Sequence, residues 1–294
     1  MMWSDAIRRH AVAMIALSSL LVSVNGLAIR TIESTNPWQL IFVRQSFFAP
    51  TLILILLLHY RKNIVPVFIN IGLPGLFGAA AIALANVCMI LAMTYTTIAN
   101  TLFTLGACPL ITAVLARIIL KERLTPATLI ATLVAMTGIG IMVGGGVMGG
   151  GVMGNLIALA CALFFSLFVI CLRIGKDRDM LPTSVIGALL GVAIGAIGCQ
   201  FDFRMSNQDL WLCFAWGGLL MTAVHTLFTL ASRFVAGAEI MLISLIEFML
   251  GPLWVWLVYS EAPGTTGLIG GALVLGAVTI RSVLLIHQQR SQSP

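Results

Sequence analysis

Long apolar runs alternate with short polar joints through almost the whole chain, and the runs are of similar length. The hydrocarbon core of a bilayer takes about 20 predominantly apolar residues per helical crossing. Ten runs of that size stand at residues 11–29, 38–59, 67–93, 98–119, 126–144, 154–172, 182–200, 209–231, 235–258 and 265–286, here called spans one to ten. Two stretches without any Asp, Glu, Lys or Arg, from Asn63 to Ala116 and from Leu124 to Leu172, are each long enough for two crossings. The first divides at the polar Thr94-Tyr95-Thr96-Thr97 turn. The second divides between Gly144 and Gly154, where Gly-Gly-Gly-Val-Met occurs twice. Glycine lowers helix propensity, so this segment is expected to be a short flexible linker without chemistry of its own.

Composition removes most other classes. With 60% hydrophobic residues, 9% charged and a mean hydropathy of +1.08 over 294 residues, the pattern leaves no room for a soluble domain, which would be nearer a quarter charged. The expected fold is an all-α polytopic membrane protein of ten transmembrane helices. Charge then sets its orientation. With the N-terminus in the cytoplasm, one side receives Arg8, Arg9, Arg61, Lys62, Arg117, Lys121, Arg123, Arg173, Lys176, Arg178, Arg233, Arg281 and Arg290. The other receives Arg30 and Arg204, and Arg44 falls inside span two. This is a positive-inside distribution, which places both termini in the cytoplasm. The net charge of +6 is therefore a topology signal and implies no nucleic-acid partner. Arg8 and Arg9 before an apolar run also suit a signal peptide, but the run is too long, no small-x-small cleavage site follows, and nine more spans come after it.

The six cysteines, Cys88, Cys108, Cys161, Cys171, Cys199 and Cys213, lack C-x-x-C spacing and read as small apolar residues; no metal and no cofactor is expected. Gly187, Gly191, Gly195 and Gly198 form a small-residue face on span seven, and Gly267 and Gly271 a shorter one on span ten. Such faces let helices pack closely in lipid. They suit a tight bundle, as a monomer or with a homodimer seam.

Shifting the chain by 139 residues lays span four on span nine, with Ala99 on Ala238 and Glu122 on Glu261. Five spans per half is an odd number, so the second half enters the membrane in the opposite sense and the repeats are inverted. That is a common build for secondary transporters, whose sites lie near the midplane where the halves meet.

The residues then carry a resemblance. Thr97 to Leu124, with Ala99, Pro109 and the closing Leu120-Lys121-Glu122-Arg123-Leu124, resembles the end of an EamA-like domain. Leu245-Ile246-Glu247-Phe248-Met249-Leu250-Gly251-Pro252-Leu253-Trp254-Val255-Trp256, followed by Glu261, is similar to the matching stretch of a second such domain. On these motifs the chain is identified as a member of the drug/metabolite transporter superfamily, ten-helix type. The resemblance implies a first EamA-like repeat at 1–148, a Gly-rich linker at 149–153 and a second repeat at 154–294. It implies a secondary transporter, an exporter in the first reading, of small metabolites or drugs such as amino acids across a bacterial inner membrane. Proton coupling is open, and uptake or exchange of a scavenged nucleoside, vitamin or activated metabolite is the alternative. Two departures stand out: Phe248 occupies the place of Pro109, with Pro252 four residues later, and span seven has no counterpart of Arg44.

Polar residues within the spans are the site candidates, because an unsatisfied polar group in hydrocarbon is costly and normally faces protein or water. Glu247 lies near the middle of span nine, sharing a face with Ser244 and Gly251. A carboxyl there is placed to bind a cationic group or carry a proton. Span eight presents Thr222, His225, Thr226, Thr229 and Ser232 on one face, and His225 is a candidate partner of Glu247 in proton coupling. Span four presents Thr97, Thr101, Thr104, Cys108 and Thr112. Thr101 and Thr104 are read as pathway residues, although threonine also satisfies itself on its own helix. Asn25 and Asn86, within spans one and three, are further pathway candidates. Arg44, about six residues below Trp38, is expected to snorkel outward as an anchor or to pair with Glu33.

An intramembrane enzyme would need a nucleophile with its base, or a metal cluster; neither G-x-S-x-G nor H-E-x-x-H occurs. A nucleotide-driven pump fails likewise, since Gly175-Lys176 has Ile170 where a phosphate loop needs glycine. A channel filter is not visible.

Overall fold

The computed structural model describes residues 2–33, 36–60, 64–121, 126–149, 151–232, 234–235, 237–260 and 264–291. Among them the chain forms α1 (Met2–Val22), α2 (Asn25–Thr31), α3 (Pro37–Tyr60), α4 (Ile64–Asn70), α5 (Gly72–Tyr95), α6 (Ile98–Leu105), α7 (Cys108–Ile119), α8 (Pro126–Gly149), α9 (Val152–Ile174), α10 (Leu181–Gly198) and α11 (Asn207–Cys213). A π-helical segment, Phe214–Met221, then leads into α12 (Thr222–Ala231), followed by α13 (Gly237–Tyr259) and α14 (Thr265–Ser291). Glu122, Arg123 and Glu261, which marked the ends of spans four and nine in the sequence, lie outside the described residues.

Seven of the resulting helical segments are long and apolar enough to cross a bilayer, and three shorter apolar helices, Leu129–Met142, Ile246–Tyr259 and Thr265–Arg281, stand where spans five, nine and ten were expected. The protein is an all-α, multi-pass membrane protein. Helices dominate because in hydrocarbon each backbone N–H and C=O must be satisfied within the protein.

The structure departs from the sequence pattern at four places. Span three begins at Gly72, since the chain ends α4 at Asn70 and turns at Gly72 with φ +61, a left-handed conformation glycine adopts freely. Span one is interrupted between Val22 and Asn25, and span four between Leu105 and Cys108. The glycine-rich stretch is narrower than its composition suggested: helix continues to Gly149 and resumes at Val152. The linker expected at 149–153 thus already contains the first turn of α9. Backbone satisfaction in lipid outweighs the roughly 1 kcal/mol per residue that glycine costs a helix.

Helices pack in a reciprocal pattern. α5 lies along α9, α8 along α14, α3 along α10, and α1 along α12 and α13. One continuous core, including Ile41, Leu52, Ile90, Met93, Ile98, Phe168 and Val185, runs through these contacts. The glycine face of span seven is used inside the chain. A Cβ on Gly187 would meet Ile82, and on Gly191 Gln45, on Gly195 Phe42 and on Gly198 Trp38. Gly271 is likewise closed by Phe103 and Gly267 by Asn100. Neither face is left as a dimer seam.

Candidate functional site

The interruptions of spans one and four lie at one cavity. It is bordered by Ser18, Ser19, Val22 and Asn25 of span one, Ile82, Ala85, Asn86 and Met89 of span three, and Leu105, Cys108 and Pro109 of span four. From the second half come Cys161, Phe165 and Phe168 of span six, Met221, Val224, His225 and Phe228 of span eight, and Ser244, Glu247 and Phe248 of span nine. The enclosed space is about 120 Å³, and about 1000 Å³ when the open mouth is counted. Its wall is mostly apolar and aromatic, with a few polar groups facing in.

The break in span four follows from its sequence. The helix stops at Gly106, whose N–H bonds Leu102 O at 2.9 Å, and restarts with Pro109 in the first turn of α7, a place that suits proline because an amide N–H there has no intrahelical acceptor. Ser166 Oγ of span six donates to the Cys108 carbonyl at 3.2 Å, satisfying a backbone group next to the break. Span one loosens at Ser23–Val24. There Ser23 Oγ donates to Leu20 O at 2.7 Å and accepts from Trp254 Nε1 at 3.1 Å, tying span one to span nine. Gly26 lets spans one, four and nine converge, since a Cβ there would meet Ile98 at 2.7 Å and Val255 at 3.0 Å.

Glu247 faces the cavity half-buried, and it makes no hydrogen bond or ion pair with the described residues. Cys108 and Cys161 lie within its electrostatic reach. His225 borders the same cavity, but its ring leans on Phe48, with centroids 4.9 Å apart, and no hydrogen bond joins it to Glu247 among the described residues. The expected pair therefore shares a cavity without direct contact.

On the other side, Asn25 Oδ1 accepts from Trp216 Nε1 at 2.7 Å, and Asn86 Oδ1 accepts from Arg44 Nη2 at 2.8 Å. The Arg44 guanidinium lies 4.8 Å from the centre of the Trp216 ring, a cation–π contact. Gly217 in the π segment makes this stacking possible, because a Cβ there would stand 2.3 Å from the Arg44 carbonyl. Arg44 is 1% exposed. It neither snorkels outward nor pairs with Glu33, whose backbone N–H instead bonds Asp209 Oδ1 at 3.0 Å. The aromatic and amide partners already in place around Arg44 hold it inside the bundle.

The threonine faces occupy other positions. Thr101 and Thr104 are buried and stand apart from the cavity lining; Thr101 Oγ1 donates to Thr97 O at 3.2 Å. On span eight, Thr222 Oγ1 meets Thr51 Oγ1 at 2.8 Å and Thr226 Oγ1 donates to Thr222 O at 2.7 Å, leaving His225 as that face's contribution to the cavity. Sequence reading passed over the Arg44–Trp216 stack. Its signal was Gly217-Gly218 beside a tryptophan in the middle of an apolar span.

A multi-pass helical bundle around a cavity bordered by both halves of the chain is compatible with a membrane transporter. Residues 9–144, a little under half of the chain, match the model of the EamA-like transporter family, in line with the resemblance to the drug/metabolite transporter superfamily. A relative from Bacillus subtilis (strain 168), described as "Uncharacterized transporter YyaM", is 27% identical over 175 residues, 56% of this chain and 54% of its own length. The match thus spans about half of that relative. A solved structure described as "Crystal structure of protein" superimposes with a TM-score of 0.63, covering 95% of this chain and 98% of its own at 21% identity. That likeness concerns the fold alone.

Proposed function

We propose that the chain is a secondary transporter that exports small metabolites or drugs across a bacterial inner membrane by alternating access around the central cavity. The observation that carries this reading is Glu247, a carboxyl without a partner among the described residues, facing a mostly apolar and aromatic chamber assembled from both halves. An acid held in hydrocarbon is a functional group by default. Glu247 exchanges a proton for the amine of a substrate whose apolar body lies against Phe165, Phe168 and Phe228. The halves are inverted five-helix repeats with both termini in the cytoplasm. The charge distribution supports this orientation. The packing supports the repeats: spans two and seven, and five and ten, pair with each other, and the pairing of three with six is mirrored by that of eight with one. Asn25 and Asn86 belong to the pathway, and Thr101 and Thr104 shape span four behind it.

Counterflow in proteoliposomes tests the reading. Amines with an aromatic or aliphatic body, amino acids and lipophilic cations among them, accelerate exchange of a preloaded tracer, whereas nucleosides and anionic vitamins do not. Acceleration by the anions alone contradicts the role given to Glu247.

A further inference from the structure

The cavity has a second polar surface, opposite in character to Glu247. An indole N–H and a guanidinium can only donate hydrogen bonds, so the bonds from Trp216 and Arg44 fix the orientation of both asparagine amides: the oxygens are engaged by groups behind the wall. Each amide is left with N–H to offer. Asn86 spends one on Ile82 O at 2.9 Å, and the Asn25 Nδ2 has no partner among the described residues. Behind these amides, Arg44 Nε and Nη1 are buried without a hydrogen-bond partner, and no carboxylate stands within ion-pair distance among the described residues. A guanidinium in hydrocarbon without a counter-ion is costly, and its field extends to His225 on the cavity wall. The wall formed by spans one and three thus presents donors backed by positive charge.

We propose that Asn25 and Asn86, backed by Arg44, form an anion subsite that receives the carboxylate of the transported molecule. This rests on the transport reading above and narrows its substrate class: an apolar body that carries a carboxylate for the asparagine wall and an amine for Glu247. Arg44 is a positioning residue here, holding Asn86 and supplying the potential without touching the substrate.

Three probes of one body separate the two ends: L-phenylalanine, phenethylamine, which lacks the carboxylate, and 3-phenylpropionate, which lacks the amine. Their binding to the purified full-length protein is read by competition against radiolabelled L-phenylalanine and by thermal shift. Asn86→Asp gives Arg44 an ion-pair partner, so the variant is expected to melt no lower than wild type. Its added negative charge repels a carboxylate and attracts an amine. L-Phenylalanine and 3-phenylpropionate should weaken about tenfold or more, and phenethylamine should tighten. Asn25→Ala, which removes a donor and adds no charge, should weaken the two carboxylates by roughly threefold to tenfold. Equal weakening of all three probes, unchanged carboxylate binding in both variants, or a wild type that binds neither carboxylate overturns the subsite. Glu247→Gln on the same panel reads the other end. If phenethylamine binding survives there, the amine site fails, and the carboxylate subsite still stands or falls on Asn86→Asp.

Discussion

Spans four and nine, which the 139-residue shift lays on each other, each meet the cavity in their own way. The 139-residue shift sets Cys108 on Glu247 and Pro109 on Phe248. In span four the helix breaks there, between Leu105 and Cys108; in span nine it runs without interruption from Gly237 to Tyr259, through Pro252, and carries the carboxyl. One half contributes loosened backbone, the other an ionisable side chain. Both are expensive in lipid, and both are tolerated where they face a cavity. The same division holds for the polar groups around them. Donors on Asn25 and Asn86 come from the first half, and the acceptor on Glu247 from the second. The chamber thereby has two unlike ends.

If the comparison is right, giving span four what span nine already has should be the most damaging change. Cys108→Glu sets a second carboxyl against the first in the same apolar chamber, and like charges there oppose each other and the loading of an anion. Counterflow is expected to fall at least tenfold, with Cys108→Ser near wild type as the control. Undiminished transport by Cys108→Glu would mean that the two positions do not face one site. A milder change in the same direction, removing the proline that span nine lacks at this place, should matter least. Pro109 sits in the first turn of α7, where an amide N–H has no intrahelical acceptor to lose. Pro109→Ala should therefore lower stability by about 0.5 kcal/mol, through the freer unfolded chain, and leave the break in place. A clear rise in Tm, with slowed hydrogen exchange at Gly106 and Ala107, would show instead that proline alone holds span four open.

The helical spans were legible in the sequence because apolar length responds directly to the bilayer. Glu247, Asn25, Asn86 and His225 were legible for a related reason, since a polar residue in an apolar run has few places to go. The rest of the cavity wall was not. Met89, Phe165, Phe168 and Met221 look the same in sequence whether they face a chamber, a neighbouring helix or lipid, since all three surroundings are apolar. Threonine misled in the other direction: Thr101 and Thr226 satisfy themselves on their own helices, so a polar face in sequence need not be a polar surface in the fold. Arg44 was placed at the outer boundary from its distance along span two. Its true surroundings depend on Gly217 and Trp216, about 170 residues away in the chain, and on a π-helical segment that local sequence does not announce.

If Glu247 exchanges a proton for the substrate amine, counterflow measured from pH 5 to 8 will show it. The carboxylate form binds the amine, so the wild-type rate should rise with pH as Glu247 loses its proton. His225, Cys108 and Cys161 are the other titratable groups lining the cavity near it, and His225→Gln should keep the rise. Glu247→Gln preserves shape and hydrogen-bonding capacity but cannot titrate. It should fold and reach the membrane, lose the rise, and transport at least tenfold more slowly. A Glu247→Gln protein with the wild-type rate and pH profile would contradict the claim and leave Glu247 a packing residue.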